Sequence, residues 1–234
     1  MTHYALNIIF IIIISFSSFS CSREPDGIAP TEGIVSYYDF QNDSEDQFNN
    51  SDGIENNVKY VFINFRTENS VLSLTGSQSY VKINDPFDYK EKTISLWFNV
   101  VEAYDNLSVI FSSDNPLLKF GLTLLNIHKT SSGINLYFNM SNHQDTVQIV
   151  TGKWYHAAIA SDGSRYFYYL DGSLVTSEIL KSYISSSYGE NATLIGCDRY
   201  MNKRFFRGYI DKLRIYNRKL SDSEIQMLFR EKIQ

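Results

Sequence analysis

The chain of 234 residues has little cysteine, little proline and no excess of positive charge. Its 2 cysteines allow at most one disulfide, which excludes a disulfide-stapled scaffold. With 4 prolines and 12 glycines it is neither fibrous nor disordered in composition. A formal net charge of −5 offers no basic face for a phosphate backbone, so nucleic acid is excluded as a partner class. Compact chemical signatures are missing too: there is no Gly-rich phosphate loop, no Cys/His set at metal-ligand spacing and no nucleophile elbow. What is abundant is hydrophobic residue, at 43%, and aromatic residue, at 15%, with 17 Tyr and 16 Phe. That is enough apolar side chain for one well-filled core.

Residues 6–14 (LNIIFIIII) form an almost unbroken aliphatic run. It is shorter than the roughly 20 residues a membrane-spanning helix needs and suits the h-region of a signal peptide. Ser20 followed by Cys21 resembles a bacterial lipobox, in which the cysteine is lipidated and becomes the mature N-terminus. The expectation is therefore a signal peptide over residues 1–20, a lipidated tether over 21–33 and a domain over 34–234. Such a protein belongs to the bacterial cell envelope as an outer-membrane lipoprotein, or is secreted if the signal is cleaved near Ser20 without lipid attachment. If Cys21 carries lipid, Cys197 has no disulfide partner. At the end of the apolar run from Thr193 it reads as a packed strand thiol.

Period-2 alternation recurs from residue 34 to 217. Ile94, Leu96, Phe98 and Val100 alternate with Thr93, Ser95, Trp97 and Asn99, and Ile134, Leu136, Phe138 and Met140 alternate with Asn135, Tyr137, Asn139 and Ser141. Such runs are strands with one face on a core. Asp171-Gly172, between the run at 166–170 and the run at 173–175, predicts a hairpin with a type I′ turn. Many short strands at this spacing predict an all-β, antiparallel sandwich of the jelly-roll kind. One helix is predicted at the C-terminus. Ser221 and Glu224 form a capping box, and Ile225, Leu228 and Phe229 follow at helical spacing.

The segment Gly208-Tyr209-Ile210-Asp211-Lys212-Leu213-Arg214-Ile215-Tyr216-Asn217-Arg218-Lys219-Leu220-Ser221 resembles the closing strand and helix of laminin-G-like domains of the concanavalin A-like lectin/glucanase superfamily. Earlier pieces appear in the family's order. They are Tyr37-Tyr38-Asp39-Phe40, the Leu72 to Val81 run, Thr93-Ile94-Ser95-Leu96-Trp97-Phe98, Trp154-Tyr155-His156-Ala157-Ala158 and Tyr169-Leu170-Asp171-Gly172. The resemblance spans roughly residues 34–230. Ile210 and Leu213 are apolar at an odd spacing, whereas Leu213 and Ile215 keep strand parity, so the strand bulges at Asp211-Lys212 if Ile210 and Leu213 both point inward, which the resemblance fits. The resemblance also implies calcium as a cofactor, held between the Ile-Asp motif and an early Asp/Asn loop. The candidate ligands are Asp46, Asn50 and Asp211, with Asp43 and Asp52 as alternates, and an acidic turn that caps backbone amides is the alternative.

A glucanase of this fold would carry acids at Glu-x-Asp-x-x-Glu spacing on one strand, and no such spacing occurs. His128 or His143 with a tyrosine could serve a polysaccharide lyase, but any Tyr-rich chain offers that pairing. Two aromatic groups suit a sugar ligand. Trp97 has the parity opposite the core face of its strand, and a covering layer would account for it equally. Arg199, Tyr200, Arg204 and Phe205 belong to a basic, aromatic loop in an otherwise acidic chain. The resulting expectation is a non-catalytic binding module of a lipid-anchored envelope protein, held to the membrane through its lipid anchor, with carbohydrate as its partner. A structural or adhesion protein binding other envelope proteins is the alternative, and a lyase or hydrolase the third reading.

Overall fold

The computed structural model describes residues 29–63, 69–85, 87, 89–104, 107–114, 123–138, 146–179 and 192–231. The leader, Cys21 and His143 lie outside them. One antiparallel sheet contains β1 (Ile34–Tyr38), β3 (Lys59–Phe62), β4 (Ser70–Thr75), β6 (Glu91–Glu102), β11 (Trp154–Asp162), β12 (Arg165–Leu170), β13 (Ser173–Ile179) and β15 (Arg207–Tyr216). Its order is β13-β12-β11-β6-β15-β4-β3, with β1 also paired to β15. The facing sheet contains β2 (Gly53–Asn56), β5 (Tyr80–Ile83), β7 (Ser108–Asp114), β8 (Thr123–Thr130), β9 (Gly133–Phe138), β10 (Thr146–Ile149) and β14 (Ala192–Ile195), ordered β10-β9-β8-β7-β14-β5-β2. Two antiparallel sheets that share one core make the expected jelly-roll sandwich.

The alternation read from β6 and β9 is the alternation that packs. Ile94, Leu96, Phe98 and Val100 enter the core between the sheets with Leu136 and Phe138, and Ile134 packs against it. Tyr38, Phe40 and Tyr168 join them, so much of the aromatic excess is core material. In the β12–β13 hairpin, Asp171 and Gly172 have φ of 47° and 75°, the positive values that a type I′ turn requires. β15 bulges as expected. Asp211 lies opposite Trp97 and Arg214 opposite Ser95, so β15 carries one extra residue there, and Ile210 and Leu213 are both fully buried. Cys197 lies two residues beyond β14 rather than within it, and is free and buried.

The helix α1 (Asp222–Arg230) follows β15 and lies across the outer face of the first sheet. Ser221 accepts from the Glu224 N–H, and the Glu224 carboxylate accepts from the Ser221 N–H, which together satisfy two backbone donors at the first turn. Arg218 donates two hydrogen bonds to the same carboxylate and holds it down to about 2. Ile225 and Leu228 bury against Ala158, Ala160, Tyr169, Tyr216 and Leu220 in a second apolar cluster. On β6 the outward-facing Trp97 is buried as well, stacked under Phe229 of the helix. Ser221→Ala should lower the unfolding free energy by about 1 kcal/mol, read as a shift of the urea midpoint at unchanged slope.

Candidate functional site

The loop between β14 and β15 joins the two sheets. Phe206 donates its N–H to the Gly196 carbonyl at 2.9 Å, and Val109 of β7 donates to Arg204 at 2.8 Å, so residues 197–203 form an excursion closed at its base. Phe205 forms a bridge with Val109, and Phe206 is fully buried as a core residue just before β15. At the tip, Met201 donates its N–H to the Asp198 carbonyl and Tyr200 donates its own to Asp198 Oδ1. This turn presents the Tyr200 ring, 42% exposed, with the Lys203 ammonium 5.5 Å from its centroid. Arg199, Arg204 and Phe205 of the same loop are half-buried.

The loop also contains a residue that spacing did not single out. Asp198 is 4% exposed, and its Oδ2 is buried with no hydrogen-bond partner. Burial raises its carboxyl above the usual range, while Arg204, Lys203 and Arg199 act to lower it. A single aspartate after a cysteine carries no recognisable sequence signal, so only the folded loop reveals it.

Trp97 does not form a ligand surface. It is 8% exposed, stacked on Phe229 of α1 at 5.8 Å and tilted against His156 at 5.3 Å. The covering layer is the C-terminal helix. His156, opposite Trp97 on β11, is fully buried, and its Nε2 lies 2.8 Å from Ser95 Oγ. Burial, with Arg214 nearby, lowers the imidazole to about 3. Asp211, on the other side of Trp97, is 3% exposed and is pushed up to about 7 by burial, against the pull of Lys212 and Arg214. His128 pairs with Tyr137 at 6.2 Å on the other sheet.

Of the metal candidates, Asp46 is the most enclosed after Asp211. Its Oδ1 accepts the N–H groups of Tyr37 and Phe48 at 3.0 and 3.1 Å, and its Oδ2 is buried without a partner. Asp211 lies within electrostatic reach of Tyr37, whose hydroxyl is raised to about 12 mainly by burial. Asn50 is exposed, and its N–H donates to Asn49. Asp43 and Asp52 cap the N–H groups of Glu45 and Asp46, as an acidic turn would. Among the described residues no group of three His, Cys, Asp or Glu side chains converges as a metal site.

Two facing antiparallel sheets around one core define a jelly-roll sandwich domain. The chain belongs to the concanavalin A-like lectin/glucanases superfamily, whose laminin-G model matches residues 75–226. No curated protein sequence matches it. Among solved structures it is similar to domain 4 of AbnA, a GH43 extracellular arabinanase from Geobacillus stearothermophilus, in complex with arabinotriose. That match has 21% identity and a TM-score of 0.60, covering 83% of this chain and 97% of that domain. It is also similar to the Trypanosoma rangeli sialidase in complex with the inhibitor DANA, at 18% identity and a TM-score of 0.64. This match covers 86% of the chain but only 33% of the sialidase. The botulinum neurotoxin serotype D binding domain follows at 15% identity and a TM-score of 0.58, over 86% of this chain and 52% of that one.

The buried imidazole makes a pH prediction. With a folded value of about 3 against an ordinary 6.5, His156 takes up a proton on unfolding between those pH values. Its contribution is complete above about pH 6.5 and is lost as pH falls through about 3. Asp211, shifted the other way, favours the folded state below the ordinary carboxyl range and loses that contribution as pH rises through about 7. His156→Gln should therefore remove its share of the slope of unfolding free energy between pH 6 and pH 4, up to about 1.4 kcal/mol per pH unit, and leave the opposite share of Asp211 in place. An unchanged slope in chemical denaturation would show that His156 titrates normally.

Proposed function

We propose that this domain is a non-catalytic carbohydrate-binding module of a lipid-anchored cell-envelope protein. The observation that carries the reading is the exposed Tyr200 ring, set beside Lys203 and anchored by the buried Asp198, which lies within electrostatic reach of Arg204, Lys203 and Arg199. A π face suits the C–H surface of a sugar, cationic donors suit its hydroxyls or a uronate carboxylate, and the unpartnered Asp198 Oδ2 is an acceptor. The arabinanase domain solved with arabinotriose and the sialidase solved with DANA support the direction without assigning a ligand. The domain is taken as non-catalytic because the chain lacks acids at glycosidase spacing, and because the buried acids Asp46, between β1 and β2, Asp198, between β14 and β15, and Asp211, on β15, lie on separate segments. Lipid attachment at Cys21 belongs to the proposal and would tether the domain to a membrane.

One observation favours a protein partner instead. Among the described residues β13 is an edge strand, on which Leu174, Val175 and Ile179 are 51%, 38% and 63% exposed, an apolar margin on which another chain could add a strand. A glycan array probed with the detergent-solubilised full chain decides between these readings. Retention of a defined glycan class, weakened about tenfold by Tyr200→Ala or Arg204→Ala, is the expected result. Retention of no glycan would leave the protein-binding reading in its place.

Calcium is proposed at the Asp46 loop, on the ground that Asp46 Oδ2 is a buried carboxylate oxygen with unused lone pairs. Calcium should raise the melting temperature over that in chelator, and Asp46→Asn should abolish the rise. Identical melting curves with calcium and with chelator would remove the ion from the account.

A further inference from the structure

The outer face of the first sheet carries a second aromatic group, in the row next to the one that α1 covers. Trp154 of β11 and Tyr209 of β15 both lie opposite Asn99 of β6, so the three side chains share one face in one cross-strand row. The row continues through Ser73 of β4 to Lys59 of β3. Phe229 of α1 stacks over Trp97, two residues earlier on β6, but Trp154 and Tyr209 remain half-buried and Lys59 is exposed. Their positions on β11 and β15 are two strand spacings apart, about 9.5 Å. Their ring centroids nevertheless stand 6.4 Å apart, with the planes inclined by 31°. The rings lean together above the amide between them.

That amide is the second observation. Asn99 is 6% exposed, and its Oδ1 is buried with no hydrogen-bond partner. Leaving a buried amide oxygen unmet is unfavourable, and an apolar residue beneath two aromatic rings would avoid that cost. The central β6 position is one that Val or Ile would fill well. An unmet polar group at the centre of an aromatic pair is what a saccharide ring complements. Its C–H face stacks on the negative faces of the rings, and its hydroxyls hydrogen-bond to the amide, either end of which can be presented by rotation about the side chain.

We infer that Trp154, Asn99 and Tyr209 form a saccharide-binding subsite on the outer sheet, separate from the Tyr200 loop and resting on the carbohydrate reading of the domain. The row's geometry selects a sugar with an unsubstituted C–H face, and Ser73 and Lys59 extend it with polar groups on one side. The fluorescence of the protein reports on this site. The chain has 2 tryptophans, and Trp97 is shielded beneath Phe229, so a ligand on the outer face perturbs Trp154.

The test is a titration of the detergent-solubilised full chain with each glycan retained on the array, and with arabinotriose, following tryptophan emission. Emission should shift saturably, the shift should persist in Trp97→Phe, and Tyr209→Ala should weaken the apparent affinity about tenfold. Because Tyr209 is half-buried, the melting temperature of Tyr209→Ala is measured alongside. If that variant is unfolded, Asn99→Ser, which keeps the strand and both rings, replaces it. A glycan retained on the array that leaves Trp154 emission unchanged at saturation would overturn the subsite while leaving the carbohydrate function standing. Retention of no glycan and no shift with arabinotriose would overturn both.

Discussion

One extra residue in β15, between Asp211 and Arg214, lets Ile210, Leu213 and Ile215 all enter the core although their sequence spacing mixes odd and even steps. Lys212, at φ of 50°, takes the left-handed turn of the chain that this requires. β15 is the strand to which β6, β4 and β1 all pair, so the bulge sets the register of the middle of the sheet. Before it, the strand presents Tyr209 to the outer face. After it, Arg214 and Tyr216 point outward, where Arg214 lies 4.1 Å over the Tyr37 ring and Tyr216 joins the cluster beneath α1.

The outer face of this sheet is consequently two surfaces. Where α1 lies, Trp97, His156 and Asp211 are removed from water and their polar groups are perturbed. Trp97 Nε1 and His156 Nδ1 have no hydrogen-bond partner, and the imidazole and the carboxyl shift in opposite directions, each toward its neutral form. Where the helix stops, aromatic rings stay half-buried over an unmet amide. The same strands thus supply a layer sealed by α1 beside one in which Trp154 and Tyr209 remain half-buried.

Much of the fold is written locally. Residue alternation on β6 and β9, the Asp171-Gly172 turn and the Ser221/Glu224 capping box each depend on neighbours within a few positions, so each was legible before any tertiary contact was known. The site was legible only in part. The basic aromatic composition of the 199–207 loop announced itself, but Trp97 has the same polar-side parity as Asn99, and parity cannot tell a residue beneath a helix from one at the open face. Asp198 and Asn99 carry no distinguishing motif, since an unsatisfied buried oxygen is a property of what surrounds it.

The sequence alone determined that this chain would build an antiparallel sandwich closed by a capped helix, because periodicity and turn chemistry are short-range. Only the tertiary structure decided which aromatic residues lie under that helix and which face outward. Cross-strand rows bring together residues as far apart as Asn99, Trp154 and Tyr209, and their spacing along the chain contains no trace of their spacing in the sheet.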